Sequence, residues 1–336
     1  MPVFSYYDAD TDGQVYYVLP DAGWDDVTSV AESESETISS GTTIQSEDLP
    51  GYFVMHHGRP QPAAGKVAKF YPADNDILTP AEGRQKHGLE IGTKTGTWVQ
   101  SMATKFPHVQ FRSVDIVPTM AHVPRPNVTF EVYDFTDGLM LEDESQDVVF
   151  INAAVELVKD YQSLLREAHR VLRPGGLLHI IEHYLRLWNP ENMSELASRI
   201  APRACHLLET VREQMPTMGL DPDTPIKLAG WLAPDSNLWK DVRGQNVGFQ
   251  QIESVVRTFP IYPHDRFPCA SQVETRMVPF FRNMATNSMQ DLFSVLKDRG
   301  IEEGAIKEMI KAALEELEQH DSCVCTKLYC VYAVKR

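Results

Sequence analysis

The sequence predicts an α/β fold: a doubly wound, mainly parallel sheet of seven strands with helical insertions. Three observations carry that prediction. From residue 86 onward, short apolar runs alternate with amphipathic stretches, as strands alternate with crossover helices. "QDVVFINA" at 146–153 is almost wholly apolar, which suits a strand covered on both faces. "GLEIGTKTGTWV" at 88–99 joins an apolar run to an amphipathic one through closely spaced glycines. Residues without a Cβ let backbone amides approach a ligand there.

Taken in order, residues 1–20 read as two Tyr-rich strands around a turn. The turn, "DADTDG" at 8–13, imitates the start of a calcium loop, but its twelfth position is Leu19 where a bidentate acid is required, so a plain turn is expected. Residues 21–50 are rich in Ser, Thr, Asp and Glu and poor in large apolar groups; they read as an acidic, flexible or surface-hugging arm. Residues 51–336 form the main domain. Its upstream part, "FVMHHGRPQPAAGKVAKF", is rich in Pro and Gly, and His56 and His57 read there as surface histidines.

"HGLEIG" is the first strand of that domain. "TWVQSMATKF" follows as a helix with Trp98, Val99, Met102, Ala103 and Phe106 on one face. "VQFRSVDI", "VTFEVYDF" and "QDVVFINA" are strands two to four. "DYQSLLREAHRVL" is a helix with Leu164, Leu165, Ala168 and Leu172 on its apolar face, stopped by "RPGG" at 173–176. "GLLHIIEHY" is strand five, with His179 read as a core residue. Beyond it come a helix over "MSELASRIAPRACHLLETVREQM", a loop through "IKLAGWLAPDSNLWKDV", a late strand in "FQQIESVVRTFPIYP", two long amphipathic helices from 277 to 320, and a final strand, "CTKLYCVYAVKR".

Composition narrows the function. The net charge of −16, with no local basic patch, disfavours nucleic acid as a partner. No run of eighteen apolar residues appears, so no membrane span is expected. "MPVFSYYDAD" lacks a basic region followed by an apolar core, so a secretory signal is not expected and a cytoplasmic location is. The five cysteines lack C-x-x-C spacing and read as reduced thiols, with no metal site.

The ordered set "YPADNDILTP", "LEIGTKTGTW", "FPHVQFRSVDIVP", "PRPNVTFEVYDFTDGL" and "VKDYQSLLREAHRVLRPGGLL", with an acid closing strand five, resembles a class I S-adenosylmethionine-dependent methyltransferase over residues 66–184. The likeness is greatest to fungal methyltransferases of small-molecule metabolism, including the group related to a regulator of secondary metabolism. It implies a Rossmann-like fold, with 66–184 as the cofactor half and 185–336 as substrate-side helices and closing strands. It implies S-adenosyl-L-methionine as cofactor, a small-molecule acceptor methylated at oxygen or nitrogen, and a homo-oligomer or a regulatory protein as a further partner.

The resemblance also implies a cofactor set: Glu90, Gly92, Thr93, Lys94, Gly96, Asp115, Ile116, Asp134, Phe135, Asn152 and Ala153. Glu90 orders the glycine turn, Asp115 accepts the two ribose hydroxyls, and Asp134 accepts the adenine amino group. Phe135 adds an amide and apolar cover, while Asn152 and Ala153 line the methyl-transfer site. Lys94 departs from the family's pattern, standing where its middle glycine belongs. His183 leads as catalytic base, with Glu182 and Tyr184 beside it. Trp231, Trp239, Phe280, Phe281 and Met284 suit a flat apolar acceptor or the core. A catalytically silent regulatory scaffold and a non-methylating biosynthetic enzyme stay open as alternatives.

Overall fold

The computed structural model describes residues 77–80, 83–94, 96–117, 125–240, 247–264, 273, 275–319, 321 and 323–336, and the backbone of four earlier strands. Those strands are β1 (Val3–Asp8), β2 (Gly13–Val18), β3 (Phe53–His56) and β4 (Arg59–Pro62). The acidic arm at 21–50, the interior of "DADTDG" and His57 lie outside the described residues.

The main domain continues with β5 (Lys86–Ile91), α1 (Thr97–Lys105), β6 (Val109–Asp115), β7 (Val128–Val132) and β8 (Gln146–Asn152). Then come α2 (Tyr161–Val171), β9 (Leu172–Trp188), α3 (Pro202–Gln214) and α4 (Thr224–Leu232). The last elements are β10 (Phe249–Pro260), α5 (Val278–Asp298), α6 (Glu303–Leu317) and β11 (Cys325–Lys335).

Seven strands run β7-β6-β5-β8-β9-β11-β10 across one sheet. β7, β6, β5, β8 and β9 are parallel, and β11 enters antiparallel between β9 and β10. This is the expected doubly wound sheet. The β1–β2 hairpin extends it to nine strands, through an antiparallel bridge from Val15 to Glu131 on β7.

Two apolar layers sandwich the sheet. On one face Val99, Met102 and Ala103 of α1 pack against Phe111, Val148 and Leu177. On the other, Leu164, Leu165 and Ala168 of α2 and Leu228 of α4 cover Val149, Ile151, Leu178 and Ile180. The strand pleat sends alternate residues to these two layers, so neighbours in sequence serve opposite faces. α3, α5 and α6 form a third cluster around Leu207, Leu296, Ile306 and Leu317. No helix among the described residues is long and apolar enough to cross a membrane.

Three expectations differ from the structure. α4 replaces the expected loop: Pro225 at its start presets the backbone, and Leu228 and Leu232 bury one side. The helix expected from 193 starts only at Pro202, after a short 3-10 turn at Ala197–Arg199. Cys323 is disulfide-bonded, to a partner outside the described residues, whereas Cys205, Cys325 and Cys330 are free and buried.

Candidate functional site

Pairing registers place Ile91, Ile151 and Ile180 in one row across β5, β8 and β9. Just beyond that row β5 and β8 leave the sheet at its carboxyl edge, where folds of this type bind ligands, while β9 runs on to Trp188. The turn after β5 has three residues with positive φ: Gly92 at 84°, Lys94 at 49° and Gly96 at 66°. A Cβ on Gly92 would stand 2.5 Å from the Asn152 carbonyl oxygen, so glycine is required there. The Gly92 amide donates to the Val114 carbonyl at 2.9 Å, and that of Gly96 to the Thr93 carbonyl at 2.7 Å. Gly96 then caps α1. Left-handed backbone costs a β-substituted residue about 1–2 kcal/mol, and Lys94 bears that cost.

Glu90 lies beneath the turn, fully buried. The Ser113 hydroxyl donates to its Oε2, and Ser113 in turn bonds Thr93 Oγ1 at 2.8 Å. Oε1 is buried without a hydrogen bond of sound geometry. Burial pushes the carboxyl up to about 8, tempered by Ser113 and by the Val99 amide in the first turn of α1. Asp115 ends β6, 4% exposed. Its Oδ1 accepts the Ile116 amide at 2.8 Å and its Oδ2 the Lys94 amide at 3.2 Å, so one carboxylate locks two turns.

Asp134 follows β7 at the surface. Its Oδ1 accepts the Thr136 amide at 2.9 Å and the Thr136 hydroxyl, and these bonds hold its carboxyl below the usual range. Phe135 is 1% exposed, its ring packed in the α2-side core. After β8, Asn152 and Ala153 are half-buried. Ala153 takes φ 48°, and its amide donates to the Ile181 carbonyl at 2.8 Å.

Within β9, just beyond the level at which β8 ends, three consecutive residues diverge. His183 points to the α1 face. The residue is exposed to solvent, with protein packed around the imidazole. Enclosure, with a contribution from the Lys94 ammonium, pushes the imidazole down to about 4. The Phe259 ring stands edge-on to it at 6.3 Å, and Phe281 lies 5.8 Å beyond Phe259. Glu182 faces the opposite way, fully buried. It accepts the Ala154 amide at 2.8 Å, the Val155 amide at 3.3 Å and the Tyr161 hydroxyl at 2.7 Å, and burial pushes it up to about 7. The Tyr184 hydroxyl donates to Asp223 at 2.8 Å, with the Arg212 guanidinium over its ring.

The family described as "Methyltransferase domain" matches residues 89–180, the span holding the glycine turn, both strand-end acids and the β8 loop. Over those residues the chain is similar to a methyltransferase domain. Among similar proteins is the secondary metabolism regulator laeA of Coprinopsis cinerea, 26% identical over 79% of this chain and 63% of that one. Others are the methyltransferase str2 of Strobilurus tenacellus, 30% identical over 38% of this chain and 42% of that one, and the demethylmenaquinone methyltransferase of Chlorobaculum tepidum, 34% identical over 30% and 41%. This chain therefore spans less than two thirds of each of these relatives.

Within the matched span the structure brings Glu90, Gly92, Thr93, Lys94, Gly96, Asp115, Ile116, Asn152 and Ala153 to one end of the sheet. Three expectations need correcting. Glu182 is no free base, because three donors occupy its carboxylate; it pins the loop after β8. Tyr184 faces Asp223 and Arg212 on the other side of the sheet from His183. The Phe135 ring is core and unavailable as cover for a ligand. Of the pocket candidates, Phe281 and Met284 join Phe259, whereas Trp239 is buried against Phe249 and Trp231 packs beside Tyr161. Sequence reasoning missed Ser113 and Tyr161. A polar residue at a core position of "VQFRSVDI" was the available signal for the first.

Proposed function

We propose that this chain binds S-adenosylmethionine and transfers its methyl group to oxygen or nitrogen of a small organic, secondary-metabolite acceptor. The observation that carries the reading is the cradle after β5. Gly92 lets the turn pack against the end of β8, where a Cβ would stand 2.5 Å from the Asn152 carbonyl oxygen, and the buried Glu90 Oε1 lacks a sound partner beneath it. These features fit the cofactor: Glu90 would take its amino-acid end, Asp115 its ribose hydroxyls and Asp134 its adenine amino group. When bound, the cofactor supplies an electrophilic methyl on a sulfonium. The chain's own part is to hold the acceptor in line and exclude water, a positioning effect. His183, alone of the three candidate bases, points to the α1 face and orients the acceptor. Calorimetric titration with S-adenosylhomocysteine tests the reading; absence of heat in a folded protein would overturn it.

One observation favours a second reading. Lys94 strains the turn, and its ammonium adds positive charge where a sulfonium would sit. A silent scaffold acting through a regulatory protein partner, or as a homo-oligomer, accords with that and with the likeness to a secondary metabolism regulator. Binding of the cofactor analogue without methylated product from any extract of small molecules would support it.

A further inference from the structure

We propose that Lys94 selects an acceptor that reacts as an oxyanion, a carboxylate or phenolate carried on a flat apolar body. The inference rests on the methyl-transfer reading and names its substrate class.

The argument starts from register. Ile91, Ile151 and Ile180 share one row. Lys94 and His183 each lie three residues beyond it along the chain, Lys94 in the turn after β5 and His183 still within β9. Two strand spacings separate them, about 10 Å. Between them, among the described residues, lie Asn152 and Ala153, half-buried after β8, and the buried Ala154. A trough therefore runs across the end of β8, with a cation on one bank and an imidazole on the other.

The far bank is apolar and aromatic. His183 meets Phe259 edge-on, Phe259 meets Phe281, and Met277, Val278 and Met284 complete the cluster. Such a wall stacks a flat apolar body. Arg257 stands in the same row as His183, through Leu328 on β11, and adds a second positive charge on this face of the sheet. Glu90 is on this face too, but burial keeps it largely uncharged at neutral pH. Asp115 stands beneath the Lys94 amide, so the positive charge at the trough lies in the Lys94 ammonium and Arg257, and an anionic group is the ligand these two attract.

Reactivity points the same way. With its imidazole down at about 4, His183 is a weak proton acceptor at neutral pH. An acceptor that arrives ionised needs no base. Its oxygen lone pair forms the C–O bond, the C–S pair stays on sulfur, the two opposite charges cancel, and no proton has to be placed.

The test uses the full chain with matched probes: 1-naphthoate, its neutral isostere 1-naphthamide, and 4-nitrophenol, whose colour reports its own ionisation. Each is titrated with S-adenosylhomocysteine present. Wild-type protein should bind naphthoate at least tenfold more tightly than naphthamide, and should hold nitrophenol in its ionised form at neutral pH. Lys94→Asn removes the charge but tolerates left-handed backbone. It should abolish both effects, and Lys94→Arg should restore them. Nitrophenol ionisation without naphthoate preference assigns a phenolate acceptor, and the reverse a carboxylate. Equal binding of all probes, or preference retained in Lys94→Asn, overturns the proposal alone. So does a tenfold loss of S-adenosylhomocysteine affinity in Lys94→Asn with probe binding intact, since Lys94 would then hold the cofactor. Failure of wild-type protein to bind S-adenosylhomocysteine overturns the methyl-transfer reading itself.

Discussion

The Tyr161 hydroxyl donates to the Glu182 carboxylate at 2.7 Å beneath the loop that ends β8. With the Ala154 and Val155 amides on the same carboxylate, a residue of β9 fixes the path of Asn152 and Ala153 toward the candidate site. Each buried donor left without a partner costs about 1–3 kcal/mol. Glu182→Ala should therefore destabilise the fold by roughly 3 kcal/mol or more in urea, and Glu182→Gln by clearly less, since one acceptor oxygen survives. Equal stability of the alanine variant and wild type would remove this role.

Asp115→Ala should weaken S-adenosylhomocysteine binding by about 1.5–3 kcal/mol, the scale of hydrogen bonds to a charged group. Asp115 also receives the Lys94 and Ile116 amides, so some of the loss comes from a loosened turn. Asp115→Asn, which keeps one acceptor oxygen, should lie between wild type and alanine. Unchanged calorimetric affinity in both folded variants contradicts the assignment.

Glu90 should make ligand binding release a proton. Burial raises it to about 8, so at pH 7 it is mostly protonated. An ammonium group arriving beside it favours the ionised form. Titrations in buffers of different ionisation enthalpy should show close to one proton released at pH 7, and none in Glu90→Gln.

The same raised carboxyls predict how stability varies with pH. Folded Glu90 and Glu182 hold protons that the unfolded chain has lost above its ordinary carboxylate range, near 4.5. Below about 6.5 the lowered histidines, His179 and His183 among them, oppose this trend, so stability should fall from there upward, through about 7 for Glu182 and about 8 for Glu90, by a few kcal/mol at most. Glu90→Gln should flatten the upper part of that fall in urea midpoints. A midpoint that rises from pH 6.5 to 8 would reverse the sign.

Gly92→Ala combines a left-handed backbone at φ 84° with a Cβ 2.5 Å from a carbonyl oxygen. The backbone part alone costs about 1–2 kcal/mol. The variant should lose at least that much stability in thermal or urea melts. A melting temperature equal to wild type would show that the turn can be rebuilt without glycine.

The sequence by itself determined the alternation of strands and helices, the seven main strands and the residues of the turn after β5. Apolar periodicity and the backbone demands of glycine are local properties, written within a few residues of where they act. The apolar run from Gln146 to Asn152 could only be an interior strand, and Gly92 and Gly96 could only mark a turn. What tertiary structure alone decided was facing and company. His183, Glu182 and Tyr184 are neighbours in the chain and equivalent as bases on paper, but the pleat sends His183 to the α1 face and the other two to the α2 face. Phe135 follows a strand end as a ligand contact would, yet its ring is claimed by the core. α4, nine residues between prolines, was too short to show a clear period. Lys94 was visible as a departure from the glycine pattern. Only the register of β5, β8 and β9 set it across a trough from His183, because strand pairing joins residues 89 positions apart that no local pattern connects.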